Sequence, residues 1–181
     1  MHESAASPEE FWVFGYGSLM WDGWESELGC KLRTVATLPG YRRTFNKLSV
    51  KNWGTKAAPC PTLNVETDSS ASCVGMAFAF SQEARDAVLA YLRKREGKSF
   101  RIEPLAIRLD DGKEAKAFTP LYDGKNLSDG LRLDEQVRMI RAAKGASGPG
   151  LEYVRGVAGQ LKALGIDDPA VRDLWTALEA S

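Results

Sequence analysis

Gly15-Tyr16-Gly17-Ser18-Leu19 is the sharpest local feature of the chain, because two glycines and a hydroxyl follow directly on the apolar run Phe11-Trp12-Val13-Phe14. Aromatic and β-branched residues closed by glycine read as a buried strand running into a loop. Such a loop can turn consecutive backbone N–H groups toward an anion, with the Ser18 hydroxyl as a further donor. It lacks the lysine of a phosphate-binding P-loop, and the GxGxxG spacing fails at Met20, so a carboxylate suits it better than a nucleotide. The same glycines serve equally well as a tight turn at a strand end, and the pattern alone does not separate the two.

Glu96 is a second candidate. A carboxylate near Tyr91 and Phe100 at the end of a helix could be partly desolvated and act as a general base, or it could be a solvated glutamate beside Arg93 and Arg95. Tyr153 could donate to a bound carboxylate or amine, or simply pack against the apolar side of its helix. Arg42 and Arg43, after Pro39-Gly40-Tyr41, offer a carboxylate partner, and strand alternation lets at most one point inward. Cys60 stands between two prolines with no base close in sequence, so a buried, inert thiol is expected.

Other chemistry is removed by counting. The single histidine is His2, in an N-terminal stretch (residues 1–10) expected to be flexible, which disfavours Ser-His-Asp and Cys-His nucleophiles, HExxH proteases and most catalytic zinc sites. Three cysteines without a CxxC pair argue against both a disulfide framework and a zinc knuckle, so reduced thiols and a cytoplasmic location are expected. No metal or cofactor is expected. With 24 basic and 24 acidic residues there is no broad positive field for nucleic acid or an anionic membrane. No apolar run approaches the roughly 20 residues that span a bilayer, and the acidic, polar start of the chain does not read as an export signal.

The elements that must position these residues follow from periodicity. Thr34 to Leu38, Thr62 to Val65 and Ser72 to Phe80 read as short strands of an antiparallel or mixed sheet. Ala84, Val88, Tyr91 and Leu92 predict a helix over about 82–95, with Ser81 as N-cap and Gly97 as C-cap, which puts Glu96 at the exit. Strands from Phe100 to Leu109 and Glu114 to Leu121 join through Asp110-Asp111-Gly112-Lys113, a hairpin signal. The last third turns helical, through Leu133, Val137 and Ile140, then Leu151, Val154, Ala158 and Leu161, then a helix capped by Asp168 with Pro169 at its first position. Gly145 to Gly150 reads as a flexible linker or a site rim. There is no internal repeat and no visible domain boundary, so the 181 residues are expected to form one domain, by default a monomer.

Val13-Phe14-Gly15-Tyr16-Gly17-Ser18-Leu19-Met20-Trp21, Tyr91 to Gly97, and Gly145-Ala146-Ser147-Gly148 leading to Glu152-Tyr153, in this order and spacing, resemble the ChaC-like gamma-glutamylcyclotransferases from about residue 11 to 165. The resemblance implies an α+β fold, a small mixed β-barrel-like sheet with surrounding helices, and cofactor-free cleavage of glutathione to 5-oxoproline and Cys-Gly. It makes Glu96 the catalytic base. It assigns the γ-glutamyl portion to Phe14, Gly15, Tyr16, Gly17, Ser18 and Leu19, and an orienting role to Tyr153; a pocket for the Cys-Gly carboxylate, using Arg42 or Arg43, would favour glutathione. Trp53 and Lys56 stand where the family usually has Arg and Pro, a difference that bears on substrate scope, while Ser99-Phe100, where the family often has Gly-Tyr, is conservative at the aromatic and retains the base. Two other readings are an enzyme for other γ-glutamyl amino acids or γ-glutamylamines, and a non-catalytic module that binds γ-glutamyl compounds.

Overall fold

Both faces of the first strand are covered, which is why it can be apolar from Phe11 through Phe14. β1 (Glu10–Gly15) buries every residue from Phe11 to Gly15, as a strand with apolar neighbours on both sides must. The computed structural model describes residues 10–181; the expected flexibility around His2 lies outside them. β1 runs antiparallel to β3 (Cys60–Ser81), with Gly15 opposite Met76, and parallel to β5 (Glu114–Tyr122), with Trp12 opposite Ala117. β2 (Leu32–Ser49) and β4 (Phe100–Leu109) complete a closed barrel in the order β1-β3-β2-β4-β5. The closed order confirms the mixed, barrel-like sheet.

The described residues form two compact units. One holds the described residues up to Arg42 together with Thr67–Gly124, and the other holds Arg43–Glu66 and Lys125–Ser181. In the first, Phe14, Phe78, Phe80, Leu38, Ile107 and Leu92 are almost wholly buried and form the core.

β2 and β3 are much longer than the short runs expected. Pro39-Gly40 does not end β2: Gly40 takes a left-handed φ of 81° inside the strand, so the glycine marks a local irregularity rather than a terminus. The helix expected over 82–95 begins as a 3₁₀ turn at Gln82–Ala84 and continues as α1 (Arg85–Glu96). Ser81, the last residue of β3, takes the expected N-cap position with extended backbone but makes no side-chain capping bond. The exit is as expected: Gly97, at φ 81°, donates its N–H to the Arg93 carbonyl at 3.0 Å. β4 and β5 pair as the hairpin predicted, with Gly112 at φ 88°.

In the second unit α2 (Leu133–Ala142), α3 (Gly150–Ala163) and α4 (Pro169–Ala180) present buried stripes that include Ile140, Val154, Val157, Leu161, Val171, Leu174 and Leu178. Asp168 caps α4, accepting the Val171 N–H at 3.2 Å. Gly145 to Gly150 is not a flexible linker. It forms the short strands β6 (Lys144–Gly145) and β7 (Gly148–Pro149), and Ala146 and Ser147 donate to the carbonyls of Lys51 and Asn52. A Cβ at Gly145 would sit 2.4 Å from the carbonyl carbon of Asn52, and one at Gly150 would sit 2.7 Å from Cys60 Sγ. These glycines serve close approach, not mobility.

Candidate active site

The loop leaving β1 closes as a single 3₁₀ turn, Ser18–Met20, in which the Met20 N–H donates to Gly17 O at 2.9 Å and the Trp21 N–H to Ser18 O at 3.2 Å. Such a turn supplies no partner for the N–H groups of Ser18 and Leu19, which open it. Those are the donors that an anion-holding loop needs. Gly15 is required because a Cβ there would meet Leu19 Cβ at 2.8 Å, whereas the space beside Gly17 is open.

Three side chains hold this loop by its polar atoms. The Tyr16 hydroxyl donates to the Pro120 carbonyl at 2.6 Å, which ties the loop to β5. Trp24 Nε1 donates to Leu19 O at 2.9 Å, and Arg33 donates to Met20 O at 2.9 Å. Phe14 is wholly buried and supports the loop through packing.

The end of α1 comes to the same place. The Arg95 guanidinium donates to Ser18 Oγ at 2.9 Å and pairs with Asp22, and its Nε lies 3.6 Å from Glu96 Oε1. Glu96 is mostly buried, with 18% of its side chain exposed. The structure thus brings together the loop and the carboxylate that the sequence singled out separately. Arg95 is not among the residues the sequence singles out, because it stands in a basic run with Arg93 and Lys94. Its signal was the i, i+4 spacing from Tyr91, whose hydroxyl it contacts at 3.2 Å.

Of the two arginines, Arg43 is the inward one: fully buried, it donates to Asp168 Oδ2 at 3.0 Å. Arg42 is half exposed and lies 3.7 Å from Asp68. Tyr153 belongs to the second unit, on α3. Its oxygen accepts the Leu63 N–H at 2.9 Å, its ring packs against Trp53 at 5.3 Å, and burial of the hydroxyl end pushes its pKa well above the usual phenol value. Cys60 is buried, with its pKa pushed up to about 12 by burial, the inert thiol expected. No group of three or more His, Cys, Asp or Glu that could hold a metal occurs among the described residues.

Glycine-rich loop, helix-exit carboxylate and closed mixed barrel together define a known architecture. The structure matches that of a yeast gamma-glutamyl cyclotransferase specific to glutathione with a TM-score of 0.80, over 95% of this chain and 96% of that one, at 18% identity. In sequence the chain is 32% identical to gamma-glutamylcyclotransferase 2-3 of Arabidopsis thaliana, covering 90% of this chain and 85% of that protein. It is 28% identical to the glutathione-specific gamma-glutamylcyclotransferase of Escherichia coli (strain K12), covering 97% and 76%. The family model for ChaC-like proteins matches residues 11–181, and the chain belongs to that family.

Proposed function

We propose that this protein is a gamma-glutamylcyclotransferase that cleaves glutathione into 5-oxoproline and Cys-Gly. The observation that carries the reading is Arg95, whose guanidinium reaches both Ser18 of the loop and Glu96 and so ties a donor-bearing loop to a carboxylate. Family membership and relatives specific to glutathione support the choice of substrate.

In the reaction the α-amine nitrogen of the γ-glutamyl residue bonds to its own γ-carbonyl carbon, closing a five-membered lactam, and the amide C–N bond to Cys-Gly breaks. Glu96 takes the proton from the α-ammonium, freeing the lone pair, and returns one to the departing amine. The N–H groups of Ser18 and Leu19, with the Ser18 hydroxyl, hold the γ-glutamyl portion and the negative charge that develops on it. Attack within one molecule gains from being held in the ring-closing conformation, an effect worth about 7–11 kcal/mol at its best. A rigid loop is therefore as important as the base. Tyr153 is assigned an orienting role, on its match to the family tyrosine. Arg42 is assigned to the Cys-Gly carboxylate, since a solvent-screened pair such as Arg42–Asp68 exchanges partners at little cost.

The match of one family model across 11–181 supports one catalytic domain. Free cysteines, and the absence of any helix long and apolar enough to cross a membrane among the described residues, support a cytoplasmic location. The test is incubation of the purified protein with glutathione and, separately, with a panel of γ-glutamyl amino acids and γ-glutamylamines, following products by mass spectrometry. Formation of 5-oxoproline and Cys-Gly from glutathione in preference to the panel is expected. Turnover of the panel alone overturns the substrate, and no turnover of any of them overturns the activity.

A further inference from the structure

We propose that Arg95 is a positioning residue that locks the Gly15–Leu19 loop to the catalytic carboxylate and sets the direction of the Ser18 hydroxyl; the catalytic part of this rests on the activity proposed above. The last turn of α1 carries three basic residues, and any of them would suit the negative end of the helix dipole. Arg93 and Lys94 do only what that predicts and stay exposed. Arg95 does something else, with only 18% of its side chain exposed and all three guanidinium nitrogens engaged in different directions. One terminal nitrogen reaches Ser18 Oγ and Asp22, the other reaches the Tyr91 hydroxyl at 3.2 Å, and Nε faces Glu96 Oε1 at 3.6 Å.

A guanidinium has no acceptor, so at Ser18 the oxygen must accept and the hydroxyl hydrogen must point elsewhere. Arg95 therefore occupies one Ser18 lone pair and turns the hydroxyl hydrogen away from itself, toward where a carboxylate or a developing oxyanion would accept it. Asp22 balances the charge that burial would otherwise penalise. The helix also holds the loop one residue further along. Tyr91 stacks on Trp24 with centroids 5.6 Å apart and planes 9° apart, and Trp24 Nε1 donates to Leu19 O. One face of α1, four residues long, thus fixes both Ser18 and Leu19. Lysine cannot substitute, because a point charge with no planar fork cannot serve Ser18, Tyr91 and Glu96 at once.

The test combines steady-state kinetics on glutathione with amide hydrogen exchange over the loop, for wild type, Arg95→Gln, Arg95→Lys, Asp22→Asn and the Arg95→Gln/Asp22→Asn pair. Arg95→Gln is expected to lower kcat about tenfold or more with KM changed by no more than about twofold. Arg95→Lys should recover only part of this, and the double variant should be no worse than Arg95→Gln alone, because Asp22 acts through Arg95. Assay well below the melting temperature separates this deficit from simple loss of fold, and Arg95→Lys and Asp22→Asn carry the test if Arg95→Gln does not fold. The amides of Trp21 and Asp22, both bonded to Ser18 O, should exchange faster in Arg95→Gln while those of the β4–β5 hairpin do not change. A raised KM with unchanged kcat, or kcat within about twofold of wild type, would overturn the positioning role. Unchanged loop exchange would overturn the lock. If wild type turns over no γ-glutamyl compound, the proposed activity fails, and the exchange measurement still decides whether Arg95 holds the loop.

Discussion

Replacing Gly75 with alanine should damage catalysis by pushing on the backbone where the Gly15–Leu19 loop begins. Gly75 lies on β3 next to Met76, the partner of Gly15, and a Cβ built there falls 2.3 Å from the Gly15 carbonyl oxygen and 2.8 Å from Phe14 Cζ. The first contact is with backbone, so it cannot be relieved by a rotamer change, and Gly15 must retreat by about 1 Å to reach ordinary van der Waals separation. Forcing that much into a packed core costs about 1–3 kcal/mol. For a chain of this size the cost corresponds to a fall in melting temperature of about 2–12 °C. A displacement of about 1 Å at the start of the substrate loop can cost up to about 100-fold in rate. Thermal unfolding and kcat on glutathione, measured on the same preparation, test both halves. Gly156→Ala is the control: Gly156 is an exposed position of α3 with nothing within 4 Å of an added Cβ. It should gain about 0.5–1 kcal/mol and keep full activity. Gly75→Ala with full activity despite a lowered melting temperature would refute the claim that loop position limits the rate, and unchanged stability would refute the packing argument itself.

Three further predictions concern the second unit. Asp168→Asn keeps an oxygen for the Val171 N–H but removes the charge facing buried Arg43, and should cost about 3–5 kcal/mol in urea unfolding. Tyr153→Phe leaves the Leu63 N–H without its partner, and should cost about 1–3 kcal/mol by the same measurement. The third is alkaline sensitivity. Burial raises the folded-state pKa of both Tyr153 and Cys60, so the stability linked to each is complete below its unfolded pKa and is lost as pH rises toward the folded one. For Cys60 that window runs from 9.0 to about 12, and the urea midpoint should fall across it, less steeply in Cys60→Ala.

Features with a local cause were legible in the sequence. The β4–β5 turn, the Gly97 exit and the Asp168-Pro169 start of α4 each depend on backbone rules within a few residues, and each stands where the pattern put it. Features decided by distant neighbours were not. Gly40 reads as a break, yet pairing across the barrel carries β2 through it. Ser81 reads as a cap and does take the N-cap position, but its hydroxyl makes no capping bond. Gly145 and Gly150 read as flexible because a sequence does not show that Asn52 and Cys60 press against them. At the site, the loop and Glu96 could each be picked out, but what joins them could not: Arg95 looks like its exposed neighbours until Ser18 and Asp22, more than seventy residues earlier, come within reach.

The reaction proposed above makes Glu96 the base of an intramolecular cyclisation. Wild type and Glu96→Gln should be incubated with glutathione, without added metal, and 5-oxoproline and Cys-Gly followed by mass spectrometry alongside thermal unfolding of both proteins. The isostere sits at the exit of α1, so the melting temperature should stay within a few degrees, while both products should form with wild type and neither with the variant. A folded Glu96→Gln protein that still makes 5-oxoproline near the wild-type rate would contradict the account.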